Sequence, residues 1–375
     1  RRYRVQAYET ANYKAGSWCY SSIYTVQKAA QAALTGYLDE ASIPYDTTTT
    51  AHAVGGSGTG TYEFRQNGGT GGVEFSGSGP ARTITPTTAG TADLEVRRLG
   101  DDNYLDSSWA SAGTLTITKG TQAALTLSPT NAHAYSTSRT FTPGGGTGSG
   151  AYSDALLEGP ATRTAAWTCM ADAGTGAYTV QVVRAADANY NARTQDFVIA
   201  LAKAEQTIDF PGGSWTNKTF GAPSFELTAS ASSGLPVTFE SLNAAVATVA
   251  GDFVTIVGAG TATLRASQAG NTDYAAASLD RTLVVAKLSQ AALTLSPTNA
   301  HLNGTTRTYA VGGGSGSGAV GDSLVSGAAT RTGTLTYQAT GSSGSYVIRI
   351  VKAADANYSA LTNDFAIPLA AYRAI

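Results

Sequence analysis

The stretch Gln122-Ala-Ala-Leu-Thr-Leu-Ser-Pro-Thr-Asn-Ala-His133 occurs again, letter for letter, at residues 290–301. The two copies begin 168 residues apart, and Gln206 lies midway between them, 84 residues from each. The same spacing separates three lysines: Lys119, Lys203 and Lys287. A fixed period of this length indicates a chain of similar small domains. Arrays of this kind more often hold or space other molecules than catalyse a reaction.

A tyrosine preceded by Asn or Asp marks the same place in five successive copies: Tyr13, Tyr104, Tyr190, Tyr274 and Tyr358. Together with the lysines, these tyrosines predict four complete repeats: residues 29–119, 120–203, 204–287 and 288–371. Residues 1–28 then correspond to the last third of a fifth repeat. Because residue 1 falls inside a repeat and no signal-peptide pattern is visible, we expect a piece of a longer polypeptide, or a mature chain cut within a repeat.

The composition argues against two classes of partner. The formal net charge is −2, which gives no electrostatic attraction to nucleic acid or to anionic membranes. The longest apolar runs fall far short of a membrane span, so no membrane insertion is expected. Charged residues make up 13% of the chain, about half the usual share. This low charge is typical of a secreted protein or of closely packed subunits.

The two cysteines, Cys19 and Cys169, lie at non-equivalent positions of different repeats. Their number and placement exclude a disulfide framework and a cysteine-based zinc site. A disulfide between two chains stays open.

The apolar residues inside each repeat follow a period of two. Apolar side chains alternate with polar ones in the strand before each repeat tyrosine, for example at Val180 and Val182, Leu264 and Ala266, and Ile348 and Ile350. This alternation predicts antiparallel sheets with one buried face. In residues 204–287 it predicts seven strands, near 206–210, 224–229, 236–241, 246–250, 253–257, 261–267 and 280–286. The expected fold is all-β, a tandem array of Ig-like antiparallel β-sandwich domains.

One repeat also resembles a known family. Its segments are Gln-Thr-Ile-Asp-Phe at 206–210, Ser-Ala-Ser-Ser-Gly-Leu-Pro-Val-Thr-Phe at 230–239, Ala-Val-Ala-Thr-Val at 245–249, and Val-Gly-Ala-Gly-Thr-Ala-Thr-Leu-Arg-Ala-Ser-Gln-Ala-Gly-Asn at 257–271. Together they resemble the bacterial Ig-like repeats, including the MBG type, of very large secreted and cell-surface proteins. The other repeats carry the resemblance more weakly. It implies a bacterial extracellular string of sandwiches that serves as a stalk, spacer or adhesive segment, and it brings no catalytic residues.

Two aromatic features are candidates for a role in contacts. We expect the five repeat tyrosines to be buried, each with its hydroxyl tying down a loop, in preference to binding a ligand. Trp18 and Trp109 each follow a repeat tyrosine by five residues, and Gln195 takes this place in the next repeat. With Cys19, these tryptophans form a candidate interface, and packing within the domain is the alternative.

Two motifs that resemble catalytic or binding sequences are interpreted as structural. The glycine run at 144–150 lacks the following helix and the Lys-Ser/Thr pair of a phosphate loop, so it predicts a turn or a close approach of chains. Gly321-Asp-Ser-Leu324 has the sequence of a hydrolase motif, but residues 120–203 have Ala155 at the position equivalent to the nucleophile.

The titratable residues form no catalytic pattern. His52, His133 and His301 lie in separate repeats and do not converge with a nucleophile. Acidic residues near the repeat tyrosines could bind calcium, but they are too few for its six to eight oxygen ligands. The sequence therefore predicts no catalytic residue, no cofactor and no metal.

These patterns together predict a structural protein of the extracellular space or cell surface, and not an enzyme. Its Ig-like repeats would form a stalk, fibre, filament or sheath. The expected partners are neighbouring repeats of a longer chain or further copies of this one. Strand pairing through residues 1–28 is one way in which such copies would be joined. The alternative is a cell-surface adhesin that binds a glycan or a protein through loops of the sandwich.

Overall fold

The computed structural model describes residues 4–6, 19–20 and 25–371. Every secondary-structure element in these residues is a β-strand, and none is a helix. The predicted all-β class is therefore confirmed. The chain divides into two compact units, one of Arg1–His133, Thr137–Asp172 and Gly176–Leu201, and one of Ala134–Ser136, Ala173–Thr175 and Ala202–Ile375.

The first unit begins with two short antiparallel strands, β1 (Arg4–Val5) and β2 (Cys19–Tyr20). Two four-stranded sheets follow within residues 29–119, in the orders β3-β5-β8-β7 and β4-β10-β9-β6. Their strands are β3 (Leu34–Leu38), β4 (Ser42–Pro44), β5 (Thr49–Gly55), β6 (Tyr62–Gly68), β7 (Gly72–Ser76), β8 (Ala81–Thr88), β9 (Gly90–Arg98) and β10 (Ala110–Thr118).

Residues 120–203 form one four-stranded sheet, β12-β19-β18-β15, opposed by the smaller sheets β11-β14 and β13-β17-β16. The strands are β11 (Leu125–Ser128), β12 (His133–Ala134), β13 (Ser138–Thr140), β14 (Thr142–Gly145), β15 (Tyr152–Glu158), β16 (Ala161–Ala165), β17 (Thr168–Ala171), β18 (Ala177–Arg184) and β19 (Arg193–Ala202).

In the second unit, residues 204–287 form the sheets β21-β28-β27-β24, β22-β26-β25 and β20-β23. The strands are β20 (Ile208–Asp209), β21 (Asn217–Thr219), β22 (Phe225–Glu226), β23 (Ser230–Ala231), β24 (Thr238–Ser241), β25 (Ala247–Ala250), β26 (Phe253–Ile256), β27 (Gly260–Gln268) and β28 (Ala277–Ala286).

Residues 288–371 repeat this plan in the sheets β30-β37-β36-β33, β31-β35-β34 and β29-β32. The strands are β29 (Leu293–Ser296), β30 (His301–Leu302), β31 (Thr306–Thr308), β32 (Ala310–Gly313), β33 (Val320–Ser326), β34 (Ala329–Gly333), β35 (Thr336–Ala339), β36 (Ser345–Lys352) and β37 (Leu361–Ala370). Each sheet from β3 onward draws its strands from one predicted repeat, while the repeat boundaries themselves stay a prediction.

The alternating apolar residues point into separate hydrophobic cores. Val180, Leu264 and Ile348 are all buried, and each lies on the central strand pair of its four-stranded sheet. One core lies wholly within residues 204–287 and another wholly within 288–371. A domain of this size can bury enough apolar surface to be stable without a metal or a disulfide.

The sequence did not predict two of the strands in residues 204–287, and one of these two pairs with its neighbour in parallel. Strand β21 pairs in parallel with the last strand β28, with Asn217 opposite Val284, and Phe220 N donates to Ala286 O at 2.9 Å. Strand β23 pairs with β20. Both are only two or three residues long, too short to show alternation. One edge strand therefore pairs in parallel within an otherwise antiparallel sandwich, and β4 and β30 repeat this parallel pairing.

Two buried histidines predict that the protein loses stability in mild acid. His133 Nδ1 and His301 Nδ1 each lie 2.7 Å from a buried tyrosine hydroxyl, of Tyr178 and Tyr346 respectively. Burial holds the pKa of both imidazoles below the ordinary 6.5, and the nearby Arg139 and Arg307 guanidinium charges act in the same direction. The unfolded chain therefore binds protons first as the pH falls below 6.5, and the free energy of unfolding decreases.

Urea denaturation at about pH 7.5 and at about pH 5 measures this loss, because histidine titrates between these values and carboxyl groups mostly below them. In the double variant His133→Gln, His301→Gln, the free energy of unfolding should differ much less between the two pH values than in the wild type. A wild-type protein equally stable at both would contradict the prediction.

Candidate functional site

The linkers between repeats are hydrogen-bonded to the turn that carries the next repeat tyrosine. Gly120 N donates to Asn189 O at 2.9 Å, and Asn191 N donates to Gly120 O at 3.0 Å. These two bonds form a parallel bridge between Gly120 and Tyr190. The same bridge recurs between Ala29 and Tyr104, Ala204 and Tyr274, and Leu288 and Tyr358. We call each linker, its tyrosine turn and the loops of the preceding repeat that contact this turn a joint.

A buried glutamine fastens the linker two residues further on. Gln122 Nε2 donates to Ala185 O at 3.1 Å and to Asn191 O at 2.8 Å. Gln290 makes the same two bonds in the last repeat, to Ala353 O and Ser359 O. Gln122 is 2% exposed and Gln290 is 8% exposed, so these bonds are shielded from water. The strict repetition of this glutamine thus reflects a staple between the linker and the tyrosine turn.

An aspartate organises the tyrosine turn and ties it to the glycine run at 144–150. Asp187 Oδ1 accepts hydrogen bonds from Asn189 N at 2.9 Å and Tyr190 N at 2.8 Å. Its Oδ2 accepts from the backbone N and the hydroxyl of Ser149. These bonds, led by that from Ser149 N, hold the pKa of Asp187 well below its ordinary range. A Cβ on Gly148 would lie 2.5 Å from Asp187 Oδ2, so the run needs glycine for close packing.

Equivalent aspartates do the same in two other repeats. Asp101 accepts from Thr59, Asn103 and Tyr104, and Asp355 from Ser317, Asn357 and Tyr358. Backbone hydrogen bonds, from Thr59 first for Asp101 and from Asn357 first for Asp355, lower the pKa of both carboxyl groups to about 2. In residues 204–287 the neutral Asn271 replaces the carboxylate. These oxygens are engaged by N–H groups, and no cluster of three or more potential metal-binding side chains occurs in the part of the chain that the structure describes.

The repeat lysine caps the same turn from the linker side. Lys119 Nζ donates to the backbone oxygen of Asp187 at 2.5 Å, and Lys287 Nζ binds that of Asp355. The periodic lysine is therefore part of the joint.

Three of the four described tyrosine turns also contact the preceding repeat. In the first unit the ring of Tyr190 meets that of Tyr45 edge-on, with centroids 5.4 Å apart and planes at 79°. Ala89 N donates to Asn189 Oδ1 at 3.0 Å. Tyr45 comes directly after the parallel edge strand β4, and Ala89 directly before the long strand β9. Two loops of one repeat thus hold the tyrosine turn of the next.

The second unit repeats both contacts. The rings of Phe220 and Tyr358 lie 5.7 Å apart at 77°, and Ala259 N donates to Asn357 Oδ1 at 2.8 Å. A further edge-on ring pair in this unit joins Tyr135 and Tyr274. Edge-on aromatic pairs are worth about 0.5–1.5 kcal/mol beyond the area they bury. The joint is therefore a recurring arrangement.

The repeat tyrosines differ in detail from the expectation. Tyr13 lies outside the described residues, and the other four, Tyr104, Tyr190, Tyr274 and Tyr358, are half-buried. Their hydroxyls make no hydrogen bond to another described residue. The loop is instead tied by the backbone N–H of the tyrosine, and the ring of three of the four contacts an aromatic side chain. The expected buried tyrosine with a bonded hydroxyl was therefore wrong for these four residues, and in three of them the ring contacts the preceding repeat instead.

Of the candidate interface residues, only Trp109 has a described side chain; Trp18 and the side chain of Cys19 lie outside the described residues. Trp109 is half-buried, with the guanidinium carbons of Arg65 and Arg97 at 4.0 Å and 4.9 Å from its ring centroid. Its role in an interface stays a prediction. The other cysteine, Cys169, is buried and free, which is unsuited to a disulfide between chains.

The strand register also corrects the counterpart of this tryptophan. Ala110 lies opposite Val96, whereas Gln195 lies opposite the equivalent Val182. Thr194, not Gln195, therefore occupies the place of Trp109, because the segment after the tyrosine is one residue longer in the first complete repeat.

No protein-family model matches the chain, and no curated protein matches it. Among solved structures, domains 1–6 of the surface layer protein SbsC match 92% of this chain at 16% identity and a TM-score of 0.24, and the chain covers 55% of that protein. The bacterial integrin-binding protein invasin matches 90% of this chain and 79% of its own at 11% identity and a TM-score of 0.34. Drosophila N-cadherin EC1-4 matches 84% of this chain and 92% of its own at 8% identity and 0.27.

At these TM-scores the likenesses support no inference about function. The chain's own sheets define its class, which is a tandem array of Ig-like β-sandwich domains. No helix in the described residues is long and apolar enough to cross a membrane.

Proposed function

We propose that this protein is a non-catalytic structural component of the cell surface or extracellular space, in which Ig-like repeats of the bacterial MBG type form a stalk, fibre, filament or sheath. The observation that carries the proposal is the joint. A spacer must transmit position from one domain to the next, and a flexible linker would lose it. Here movement at the joint is restricted by several contacts at once: those of the linker backbone, the buried glutamine, the lysine and the aromatic rings.

The same proposal explains the low charge and the absence of a catalytic constellation in the described residues. The three histidines lie in different repeats, and two of them are buried against tyrosines. The Ser323 of the hydrolase-like motif lies within strand β33, where no base is hydrogen-bonded to it in the described part of the chain. Nothing in this arrangement activates a nucleophile.

Spin-label distance measurements across one joint test the proposal. The exposed Thr83 and Thr194 would be replaced by labelled cysteines, after Cys19→Ser and Cys169→Ala. A narrow distance distribution is expected, because the joint between residues 29–119 and 120–203 is bonded at several points. A Gly-Ser insertion after Lys119 serves as the control and should broaden it. A distribution as broad in the parent protein as in the insertion variant would refute a positioning role.

Self-association is the finer part of the proposal, including strand pairing through residues 1–28, most of which lie outside the described residues. Negative-stain electron microscopy of the intact chain tests it. Filaments of regular repeat would support a polymer, and separate particles at high concentration would refute self-assembly by this chain alone.

The second candidate function is adhesion to a glycan or a protein. One specific observation favours it, namely an aromatic groove in residues 29–119, at a place that residues 120–203 and 288–371 close with an ion pair.

A further inference from the structure

The groove lies between the outer strands of the two sheets in residues 29–119. Strand β6 ends one four-stranded sheet and β7 ends the other. The space between them has a volume of about 490 Å³ and is lined mainly by Tyr62, Phe64, Arg65, Phe75, Arg82 and Trp109. Ligand sites are typically about 300–1,000 Å³ and combine apolar walls with a few fixed polar groups. The size and the lining of this groove both fit that description.

Aromatic rings form the floor of the groove. The rings of Phe64 and Phe75 lie 5.9 Å apart, one from each sheet, and both are half-buried. Tyr62 continues the floor along β6 and donates its hydroxyl to Gly55 O at 3.0 Å, which fixes its ring. In a closed sandwich such rings would be fully buried, so their partial exposure leaves apolar surface for a ligand.

The polar rim is held in place and electrically compensated. Arg65 binds Glu95 through two N–H groups at 2.9 Å and 2.7 Å, and Arg97 binds Glu63 at 2.7 Å. Both guanidinium groups also lie against the Trp109 ring. Arg65 and Arg97 are each paired with a carboxylate, and Arg82 bonds to backbone oxygens. The lining therefore offers directed donors and acceptors with a small net field. This favours an uncharged ligand over a phosphate or a polyanion.

Side chains bridge the two outer strands at both ends of the groove. At one end Arg82 donates to Tyr62 O at 3.3 Å and to Gly77 O. At the other, Gln66 Nε2 donates to Gly71 O at 2.7 Å, and Val73 N donates to Gln66 Oε1 at 3.2 Å. The groove is thus formed without a ligand, which lowers the entropic cost of binding.

Two other repeats close the same place with an ion pair. Phe64 lies opposite Val96 in the strand ladder, and at the equivalent place Asp154 lies opposite Val182. Asp154 binds Arg163 on the neighbouring sheet at 2.7 Å. Residues 288–371 do the same with Asp322 and Arg331. Residues 204–287 also have an aromatic residue at this place, Phe239, which packs against their core. In residues 29–119 the rings of Phe64 and Phe75 line the groove instead.

We propose that this groove binds a neutral sugar ring within an oligosaccharide. A sugar presents C–H faces that pack on aromatic rings, and hydroxyl groups that bond to fixed guanidinium and carboxylate groups. The inference deepens the adhesive candidate function and is independent of the positioning role of the joints.

The test is binding of the intact chain to an array of neutral oligosaccharides, followed by titration with the best ligand. Trp109→Ala should weaken binding by about tenfold or more, the loss typical of an aromatic anchor. Thr194→Ala, at the equivalent place in the next repeat, should leave binding unchanged. Arg82→Ala, which opens one end of the groove, should weaken binding as well.

Failure of all neutral oligosaccharides to bind, or equal binding by the parent and Trp109→Ala, would overturn the proposal. An unchanged thermal transition of Trp109→Ala shows that a loss of binding is not unfolding. The spin-label distances across the joint do not depend on oligosaccharide binding. A failure of the binding proposal can therefore be distinguished from a failure of the positioning role.

Discussion

Replacing Asp322 with alanine is expected to lower the free energy of unfolding of residues 288–371 by about 2–3 kcal/mol. The carboxylate is 1% exposed and accepts two hydrogen bonds from Arg331, both at 2.7 Å. It also accepts from the Tyr337 hydroxyl at 2.6 Å and from Leu335 N at 3.0 Å. The substitution leaves a guanidinium group and a buried hydroxyl without their partner, which costs far more than an exposed ion pair contributes.

Asp364→Ala is the matched control in the same repeat. Asp364 binds Arg349 with the same two-bond geometry, but the side chains are 41% and 46% exposed, so about 0–1 kcal/mol is expected. Calorimetric and urea-induced unfolding of the intact chain measures both. Equal losses for the two variants would contradict the argument from burial.

The same carboxylate adds a second acid-sensitive range. Hydrogen bonding to Arg331, followed by that to Tyr337, lowers the pKa of Asp322 to about 2. Because the folded pKa is depressed, its stabilisation is present above the ordinary 3.8 and is lost as the pH falls from there toward about 2. This range lies below that of the histidines, so the two losses are separable in a pH series. Asp322→Ala should reduce only the lower loss, to which Asp101, Asp187 and Asp355 also contribute.

Replacing Gln290 with alanine is expected to lower the stability of residues 288–371 by about 1–3 kcal/mol. Its amide donates to Ala353 O at 3.1 Å and Ser359 O at 2.9 Å, and the substitution leaves both carbonyls of the joint without this donor. Because these bonds fasten the linker to the tyrosine turn, amide hydrogen exchange at Leu288 N should also accelerate.

Gln338→Ala provides the control, because Gln338 is exposed on strand β35 of the same repeat. It should change stability by less than about 0.5 kcal/mol. Unfolding by urea and hydrogen exchange at residue 288 would measure both variants. If Gln290→Ala matched the control in both measurements, the staple would have no role.

The sequence predicted those features that depend on strict periodicity. The alternation at Val180 and Val182 placed both side chains in a core, and the fixed spacing of Gln122 and Gln290 identified equivalent positions. A period of two is a direct property of a half-buried strand.

The aromatic residues that the preceding repeat contributes to each joint could not be predicted from this periodicity. Tyr45, Tyr135 and Phe220 do not keep the 84-residue spacing, because the loops before them differ in length. Only the strand pairing shows that Tyr45 and Phe220 both follow a parallel edge strand. The aromatic groove was hidden for a different reason. The sequence spacing already makes Phe64 equivalent to Asp154, but only the sheet order shows that β6 and β7 border an open space.

The joint has a consequence for how such a chain could lengthen. Residues 120–203 carry a tyrosine turn with Asn189 and Tyr190, and an aromatic residue, Tyr135, at the place of Tyr45 and Phe220. A repeat with both matching surfaces can be duplicated in the gene and inserted beside itself, and the new boundary is complementary from the start. The chain can then lengthen by gene duplication without the evolution of a new contact surface, and the number of repeats encoded in the gene sets its length.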